Sequence, residues 1–314
     1  SYQAEHNLQA GYVMGETPLT EDIRLIAGVR VEHSIQRVTS YELFTVSSEP
    51  IVGDIETTDI LPALNLIWSP WKKTNFRLAA SQTVSRPDFR ELSEFEFTDV
   101  IGGHAVIGNP NLKRALIRHL DFRWEWSPGV SNLVAASAFY KYFANPIETV
   151  IQPTAQHRVS YENAKAASNY GLEFEIRHGL GQLLDLPDNY LTVSTNLTLL
   201  ESDIQLSDTT KGIQTSDQRP LQGQSPYLFN FGLSGVIPNW MTEVNIFYNI
   251  FGKRIVEVGS VGLPDIYEMP HPDLDVTLKQ PLTTSISLKA GLGNLLNSAI
   301  EFKQGDYVTQ SYRK

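Results

Sequence analysis

Cysteine is absent from the 314 residues, which excludes a disulfide framework and any thiolate metal site. That absence alone assigns no redox compartment. Missing too is any apolar run approaching the ~20 residues that a membrane-spanning helix requires, so a spanning helix is excluded and a spanning barrel is not. Basic charge is scarce: 25 Lys and Arg stand against 35 Asp and Glu, a net charge of −10. No broad basic surface is left for nucleic acid, and acidic substrates gain nothing from such a field. The chain opens on SYQAEHNLQA, with neither an initiator Met nor a signal-peptide core, and so reads as a processed protein or an excerpt of a longer one. Its 41% hydrophobic content is that of a folded protein.

What the sequence has in abundance is alternation. In Ala115–Ser127, Leu116, Leu120, Phe122, Trp124 and Trp126 share one face, while His119, Asp121, Arg123 and Glu125 share the other. Asn169–His178 sets Tyr170, Leu172, Phe174 and Ile176 against Gly171, Glu173, Glu175 and Arg177, and Ile23–Ile35 and Phe76–Ser85 repeat the pattern. A period of two residues is the signature of a β-strand. Asn132–Asn145 is apolar on both faces, and its assignment as a strand rests on β-propensity and context. Most segments reach the roughly 9–11 residues of a bilayer-crossing strand, beyond the 5–6 usual in soluble domains.

Connections supply a second regularity. Compact ones recur at Gly15–Glu21, Pro70–Lys73, Pro128–Ser131, Gly179–Asp188, Pro238–Met241 and Gln280–Leu282. Between them fall long polar ones at about Thr39–Thr58, Arg86–Leu112, Pro146–Lys165, Ser202–Gly223 and Gly252–Pro272. Strict short–long alternation is what an outer-membrane barrel imposes, with tight periplasmic turns and long extracellular loops. About twelve such strands fit, as one domain over residues 1–314 with no internal repeat or linker. Trp and Tyr at strand ends suit an interfacial girdle. Rows of Arg, Glu and Asp on one face need water or a polar plug to solvate them, which predicts a wide lumen and hence a barrel with more strands than these twelve.

Motifs for chemistry are few. None of His6, His33, His104, His119, His157, His178 and His271 forms an HxH or HExxH spacing, and no metal site or cofactor is expected. GLGQLL (Gly179–Leu184) and GLGNLL (Gly291–Leu296) lack the third glycine and the βαβ setting of a dinucleotide site. No GxSxG elbow occurs, and Glu173 and Glu175 are alternate residues of one ionic wall rather than a hydrolytic pair. An enzyme is not expected.

A set of segments taken in order carries a family resemblance: LPALNLIWSP (Leu61–Pro70), AASQTVSRPDFRELSEFEFTD (Ala79–Asp99), GNPNLKRALIRHLDFRWEW (Gly108–Trp126), FYKYFANPIE (Phe139–Glu148), NYGLEFEIR (Asn169–Arg177), GQSPYLFNFGL (Gly223–Leu233), NIFGKRIVEVG (Asn249–Gly259), GLPDIYEMP (Gly262–Pro270) and NLLN (Asn294–Asn297). Together they resemble the barrel portion of TonB-dependent outer-membrane receptors. The resemblance implies an all-β, antiparallel transmembrane barrel of roughly 22 strands, of which this chain is the part following the plug and first strands. SYRK (Ser311–Lys314) comes before the family's final aromatic-ended strand.

On this resemblance the protein is a receptor of the bacterial outer membrane, embedded in its lipid, that imports a scarce nutrient: a small molecule, glycan or peptide. The TonB–ExbB–ExbD system would act through the plug, and a surface lipoprotein is a further possible partner. SRPDFREL becomes the root of an extracellular loop, with Pro87 ending strand pairing and Arg86, Asp88, Arg90 and Glu91 as ligand- or plug-contacting candidates. The competing reading is a salt-bridge cluster that braces the loop root. His119, Asp121, Arg123, Glu125, Glu173, Glu175 and Arg177 become lumen-facing wall. GNPNL is the return corner, where Gly108 and Asn109 suit a turn and Pro110 fixes φ. Three rival readings stand beside it: a structural β-barrel subunit of an envelope complex, an outer-membrane barrel enzyme, and a soluble β-rich carbohydrate-binding module, which would have shorter strands and no enforced loop order.

Overall fold

The computed structural model describes residues 2–41, 49–98, 105–152, 158–207, 214–216, 218–260 and 262–313, with the side chains of Gln182, Leu184 and Asp188 excepted. His104, His157 and Asp99 lie outside the described residues, as do stretches of several long connections. Strands β1 (Tyr2–Pro18), β2 (Ile23–Ser40), β3 (Ile51–Trp71), β4 (Thr74–Ser85), β5 (Ala115–Gly129) and β6 (Asn132–Ala144) follow one another along the chain. After them come β7 (Ile147–Ile151), β8 (Val159–Asn163), β9 (Ala166–Gly179), β10 (Leu191–Gln205), β11 (Tyr227–Ile237) and β12 (Thr242–Phe251). The last are β13 (Arg254–Glu257), β14 (Ile266–Glu268), β15 (Asp273–Pro281), β16 (Ser287–Leu292), β17 (Ala299–Gln304) and β18 (Tyr307–Arg313).

Twelve of these form one antiparallel sheet, in the order β1-β2-β3-β4-β5-β6-β9-β10-β11-β12-β15-β16. Every neighbour within the sheet is the next long strand in sequence, so nothing crosses over. The register aligns the alternation from strand to strand. One row runs Leu25, Leu66, Leu78, Phe122, Ala138, Leu172, Leu199, Tyr227, and the next runs Ile23, Trp68, Phe76, Trp124, Ala136, Phe174, Leu197, Phe229, Ile250. These side chains are not packed away: Leu78, Phe122, Leu172 and Phe174 are each 41–46% exposed. A continuous band of half-exposed Leu, Phe and Trp demands an apolar medium on that side.

The opposite face carries Asn75, Glu125, Ala135, Glu175, Asn196, Asn230, Asn249 and Asp273 in one row. It is not polar throughout. Tyr12, Met14, Ile26, Gly28, Leu61, Ala63 and Ala79 line an apolar sector of this face on β1–β4. The two-sided apolarity of β6 has a packing reason: Phe139 lies over Gly171, where an added Cβ would meet its ring at 2.7 Å and the Leu199 carbonyl at 2.2 Å.

Several strands exceed the length a bilayer needs. β3 has 21 residues and β2 has 18, so their ends toward the long connections stand clear of the membrane. There the loops form structure of their own. Phe97 bridges Val106, Val106 bridges Val159 of β8, β8 pairs β7, and Val150 of β7 bridges Val258. Beside that last bridge, β13-β14-β17-β18 make a four-stranded sheet. The NLLN segment is the corner between β16 and β17. Asn294 and Asn297 take positive φ of 48° and 50°, the Asn294 N–H donates to Asp275 Oδ1, and the Ser298 N–H donates to Asn294 Oδ1. Gly179–Asp188, expected as a compact turn, is longer and holds a 3-10 turn at Gly181–Leu184.

Pro62 explains an irregularity in the wall. β2 pairs β3 along its whole length, from Ser40↔Ile51 to Ile23↔Trp68, but the β3–β4 ladder stops at Ala63↔Ser81. A proline has no N–H to donate. Beyond it β3 and β4 part, and the Gln82 side-chain amide donates to the Ile60 carbonyl at 2.9 Å where a backbone bond would have been.

Replacing Phe174, midway along the apolar face of β9, by Arg should cost about 2–4 kcal/mol of folding free energy in lipid. Glu173→Arg on the opposite face should cost far less. Urea titration of the full-length protein in vesicles measures both, and equal costs would contradict the assignment of the two faces.

Candidate functional site

The densest polar chemistry lies where the connection between β4 and β5 leaves and rejoins the wall. Pro87 ends β4, and α1 (Phe89–Leu92) follows at once. Asp88 precedes that single turn in extended conformation. Its N–H donates to Glu91 Oε2 at 2.9 Å and its carbonyl accepts the Leu92 N–H at 3.2 Å, so Glu91 satisfies a donor the helix leaves unpaired. Arg90 places its guanidinium 5.1 Å from the Phe97 ring centroid. Leu92 is fully buried in a cluster with Val38, Ile55 and Leu112, which seats the connection on the polar face of β2 and β3. The Gln36 amide donates to the Pro87 carbonyl at 2.7 Å, and the Ser40 and Ser93 hydroxyls meet at 3.1 Å.

Charge pins the same root. Arg86 Nη1 donates to Glu32 Oε2 at 2.8 Å and Nη2 to Asp59 Oδ2 at 3.1 Å. Arg114, at the returning end, brings Nε to 2.5 Å from Asp59 Oδ1, and Arg30 donates to Glu32 Oε1 at 2.6 Å. The Asp59 side chain is wholly buried. Two carboxylates on adjacent strands thus hold the arginines of both ends of one loop. The return corner differs from its sequence expectation. Gly108 is not among the positive-φ residues. It is required by close approach, because an added Cβ would lie 2.3–2.7 Å from the carbonyl oxygens of Ser93, Arg90 and Glu91. Asn109 does turn the chain, accepting the Asn111 N–H at 2.9 Å.

A second buried pair ties the connection after β10 to the β7–β8 hairpin. Arg219 donates through both terminal nitrogens to Glu148 at 2.9 Å, and the two side chains are each only 2% exposed. Gln214 accepts a further bond from Arg219 at 2.9 Å, and the Gln222 N–H donates to Glu148 at 3.1 Å. Glu162 sits directly across the ladder from Glu148. Burial pushes its carboxyl above the usual range, and Oε2 has no hydrogen-bond partner. Burial likewise raises Glu91. Beside this knot, Tyr267, Lys253, Pro220, Pro226 and Ile255 line a small pocket in which the Lys253 ammonium stands 5.1 Å from the Tyr267 ring centroid.

The wall residues singled out by alternation share the polar face. Arg123 is their hub: Nε reaches Glu125 at 2.7 Å, Nη2 reaches Glu175 at 2.7 Å and Nη1 reaches Ser137 at 3.2 Å, while Arg77 Nε joins Glu125 at 3.2 Å. His119 Nε2 meets the Thr83 hydroxyl at 2.8 Å. Glu173 lies opposite Ser137, Arg177 opposite Leu133 and Ser194, and Asp121 opposite Ala79 and Phe139. Sequence reasoning missed Arg114, Arg219 and Glu148. Glu32 lies within the alternating segment Ile23–Ile35, but its partner is 54 residues away, and Glu148 and Arg219 are 71 apart, separations at which no local pattern operates.

The family model "TonB dependent receptor-like, beta-barrel" matches residues 1–295. The chain belongs to the TonB-dependent receptor β-barrel family. It is an outer-membrane protein, and its twelve-stranded sheet is an arc of that family's barrel. Similar to it is the "iron-regulated outer membrane virulence protein" of Vibrio cholerae serotype O1, 23% identical over 311 residues, 97% of this chain and 43% of the relative. Among solved structures, the FrpB iron transporter of Neisseria meningitidis is similar with a TM-score of 0.63 at 13% identity, over 99% of this chain and 43% of that one. The ferric-catecholate import receptor Fiu of E. coli K12 gives 0.68 at 12% identity, over 96% and 42%. This receptor chain therefore spans less than half the length of these three relatives.

Two outcomes follow for the receptor's loop roots. Arg86→Ala strips a buried carboxylate of a partner and should destabilise the Arg86–Arg114 connection by about 3–5 kcal/mol, seen as faster amide exchange and proteolysis there, whereas Arg37→Ala, which breaks the exposed pair with Asp54, should cost at most about 1 kcal/mol. For Glu162, a raised folded pKa means the folded state binds its proton more tightly than the unfolded state. Its contribution is therefore most favourable at low pH and is lost as pH rises from the ordinary glutamate value through the raised one. Glu162→Gln should flatten the pH dependence of exchange in β7 and β8 over that window, and an unchanged profile would contradict the assignment.

Proposed function

We propose that the chain is the wall of an energised importer for a chelated iron species or a nutrient of similar size, with the polar face turned to the lumen and the long connections outside. The observation that carries this reading is the sheet itself: unbroken apolar rows on one face and an Arg–Glu ladder on the other. A wall with an outward apolar band and inward charges encloses water, and a lumen of that kind passes polar cargo. The names of the relatives, an iron-regulated outer-membrane protein, an iron transporter and a ferric-catecholate import receptor, favour ferric chelates as the cargo class.

In this reading Arg123, Glu125, Glu175 and Arg77 form a paired inner surface, joined by His119, Asp121, Glu173 and Arg177. Pairing lowers the cost of lining a passage with charge, and paired groups do not trap a passing ion at a single strong site. Arg86, Asp88, Arg90 and Glu91 shape the mouth by fixing the connection from Arg86 to Arg114. Cargo meets them through the surface that connection presents, since the Arg86 guanidinium and the Glu91 carboxylate are engaged within the fold. Transport here needs no covalent step by this chain. The work comes from the TonB system acting on a plug within the barrel.

Deleting the gene should slow growth when iron is supplied only as the cognate ferric chelate, and full-length protein expressed from a plasmid should restore uptake of radioactive iron, provided TonB is present. Uptake that continues without TonB would overturn the energised reading, and normal iron uptake in the deletion strain across a panel of chelates would overturn the cargo class.

A further inference from the structure

Above Pro62 the receptor wall carries an unclosed strand edge. β3 runs on for residues 51–61 with β2 on one side and, among the described residues, no strand on the other. Two observations fix which groups face the gap. Pro62 sits opposite Val29 in an uninterrupted β2–β3 ladder, so its missing N–H belongs on the side away from β2. The Ile60 carbonyl, two residues along, accepts from Gln82 of β4, so Ile60 also faces away from β2. In an antiparallel strand both backbone groups of a residue point the same way and successive residues alternate. Val52, Asp54, Glu56 and Thr58 therefore present their N–H and C=O to the gap. Among the described residues no backbone hydrogen bond is made to any of the four.

The gap is a groove and not a seam. Val52, Asp54, Glu56 and Thr57 form one wall; Pro110–Arg114 and Asn145 form the other, enclosing about 570 Å³. The inner side is closed, since Gly53 is backed by Pro110, Ile55 is buried under the loop root, and Asp59 is held by Arg86 and Arg114. The side chains of Asp54 and Glu56 face outward, 41% and 66% exposed; Asp54 is paired with Arg37 at 2.7 Å, while Glu56, the more exposed of the two, has only His33 beside it among the described residues, at 3.8 Å. Left as it is, a flat unpaired edge invites pairing with another chain.

We infer that the β3 edge from Val52 to Thr58 is a strand-addition site that takes an extended segment of a partner polypeptide, with a basic side chain set against Glu56. Main-chain bonds to the four free edge residues supply affinity, and the Glu56 carboxylate supplies register and preference. The site does not depend on the transport reading, because it needs only the parted strands.

The test uses full-length receptor in detergent and a fluorescent probe peptide of about eight residues, alternating Lys and Thr, followed by anisotropy. A second probe has the same sequence with alternate backbone nitrogens methylated, which keeps charge and removes donors. Glu56→Pro is the informative variant: it removes a donor from the free edge and leaves the β2 ladder intact, while Glu56→Gln controls for lost charge. The expected result is saturable binding that weakens at least about ten-fold with the methylated probe and with Glu56→Pro, and no more than about three-fold with Glu56→Gln. Absence of saturable binding by the first probe, or equal binding of the two probes, would overturn the inference. An unaltered elution volume and heat-shifted gel mobility of Glu56→Pro show that the wall is folded, and the methylated probe tests the inference on the unmodified receptor regardless of that variant.

Discussion

The whole arrangement depends on one constraint: a backbone in hydrocarbon must find every hydrogen-bond partner within the protein. Antiparallel pairing of each long strand with the next satisfies it at the lowest topological cost, and the twelve-stranded order without a crossover is the result. Side chains then have only two directions to point. Those toward lipid must be apolar, and those away from it are free to be charged, so alternation is a consequence of pairing rather than a separate feature.

This is why the wall was legible in the sequence and the loops were not. Leu120, Phe122 and Trp124 announce their face through spacing alone, and the rows that the register assembles across β3 to β11 consist of residues each strand had already sorted. Strand number and the order of short and long connections were read from the same signal. The mouth obeys no such period. Arg86 was visible as a charge just before Pro87, yet its role depends on Glu32 and Asp59 being brought to one face by pairing between β2 and β3, and on Arg114 returning to the same carboxylate. Gly108 shows the limit from the other side: a turn was expected, and the cause proved to be three carbonyl oxygens converging on its α-carbon.

The charges of this receptor fall into two physical classes. Arg123 with Glu125 and Glu175 makes a ladder on partly exposed groups, where water weakens each pair and removal of one changes little. Asp59 and Glu148 are buried, and their pairs close connections separated by tens of residues. Buried pairs of this kind add little net stability over apolar packing. What they add is discrimination, because any other loop arrangement would leave a carboxylate in the interior without its arginine.

That discrimination matters most outside the bilayer. Within it, lipid selects the register, since a slip of one residue would turn Glu125 and Glu175 outward. Outside it no solvent boundary enforces the pattern, and the extended parts of β2 and β3 would be free to slide or pair with strangers. The Arg86–Asp59–Arg114 lock and the Arg219–Glu148 clamp hold the long connections, and Pro62 sets the height at which the β3–β4 ladder ends. Below it β3 is paired on both sides; above it β3 is shared between a strand on one side and side chains on the other. A proline placed there lets loops shape this end of the sheet without disturbing the ladder beneath.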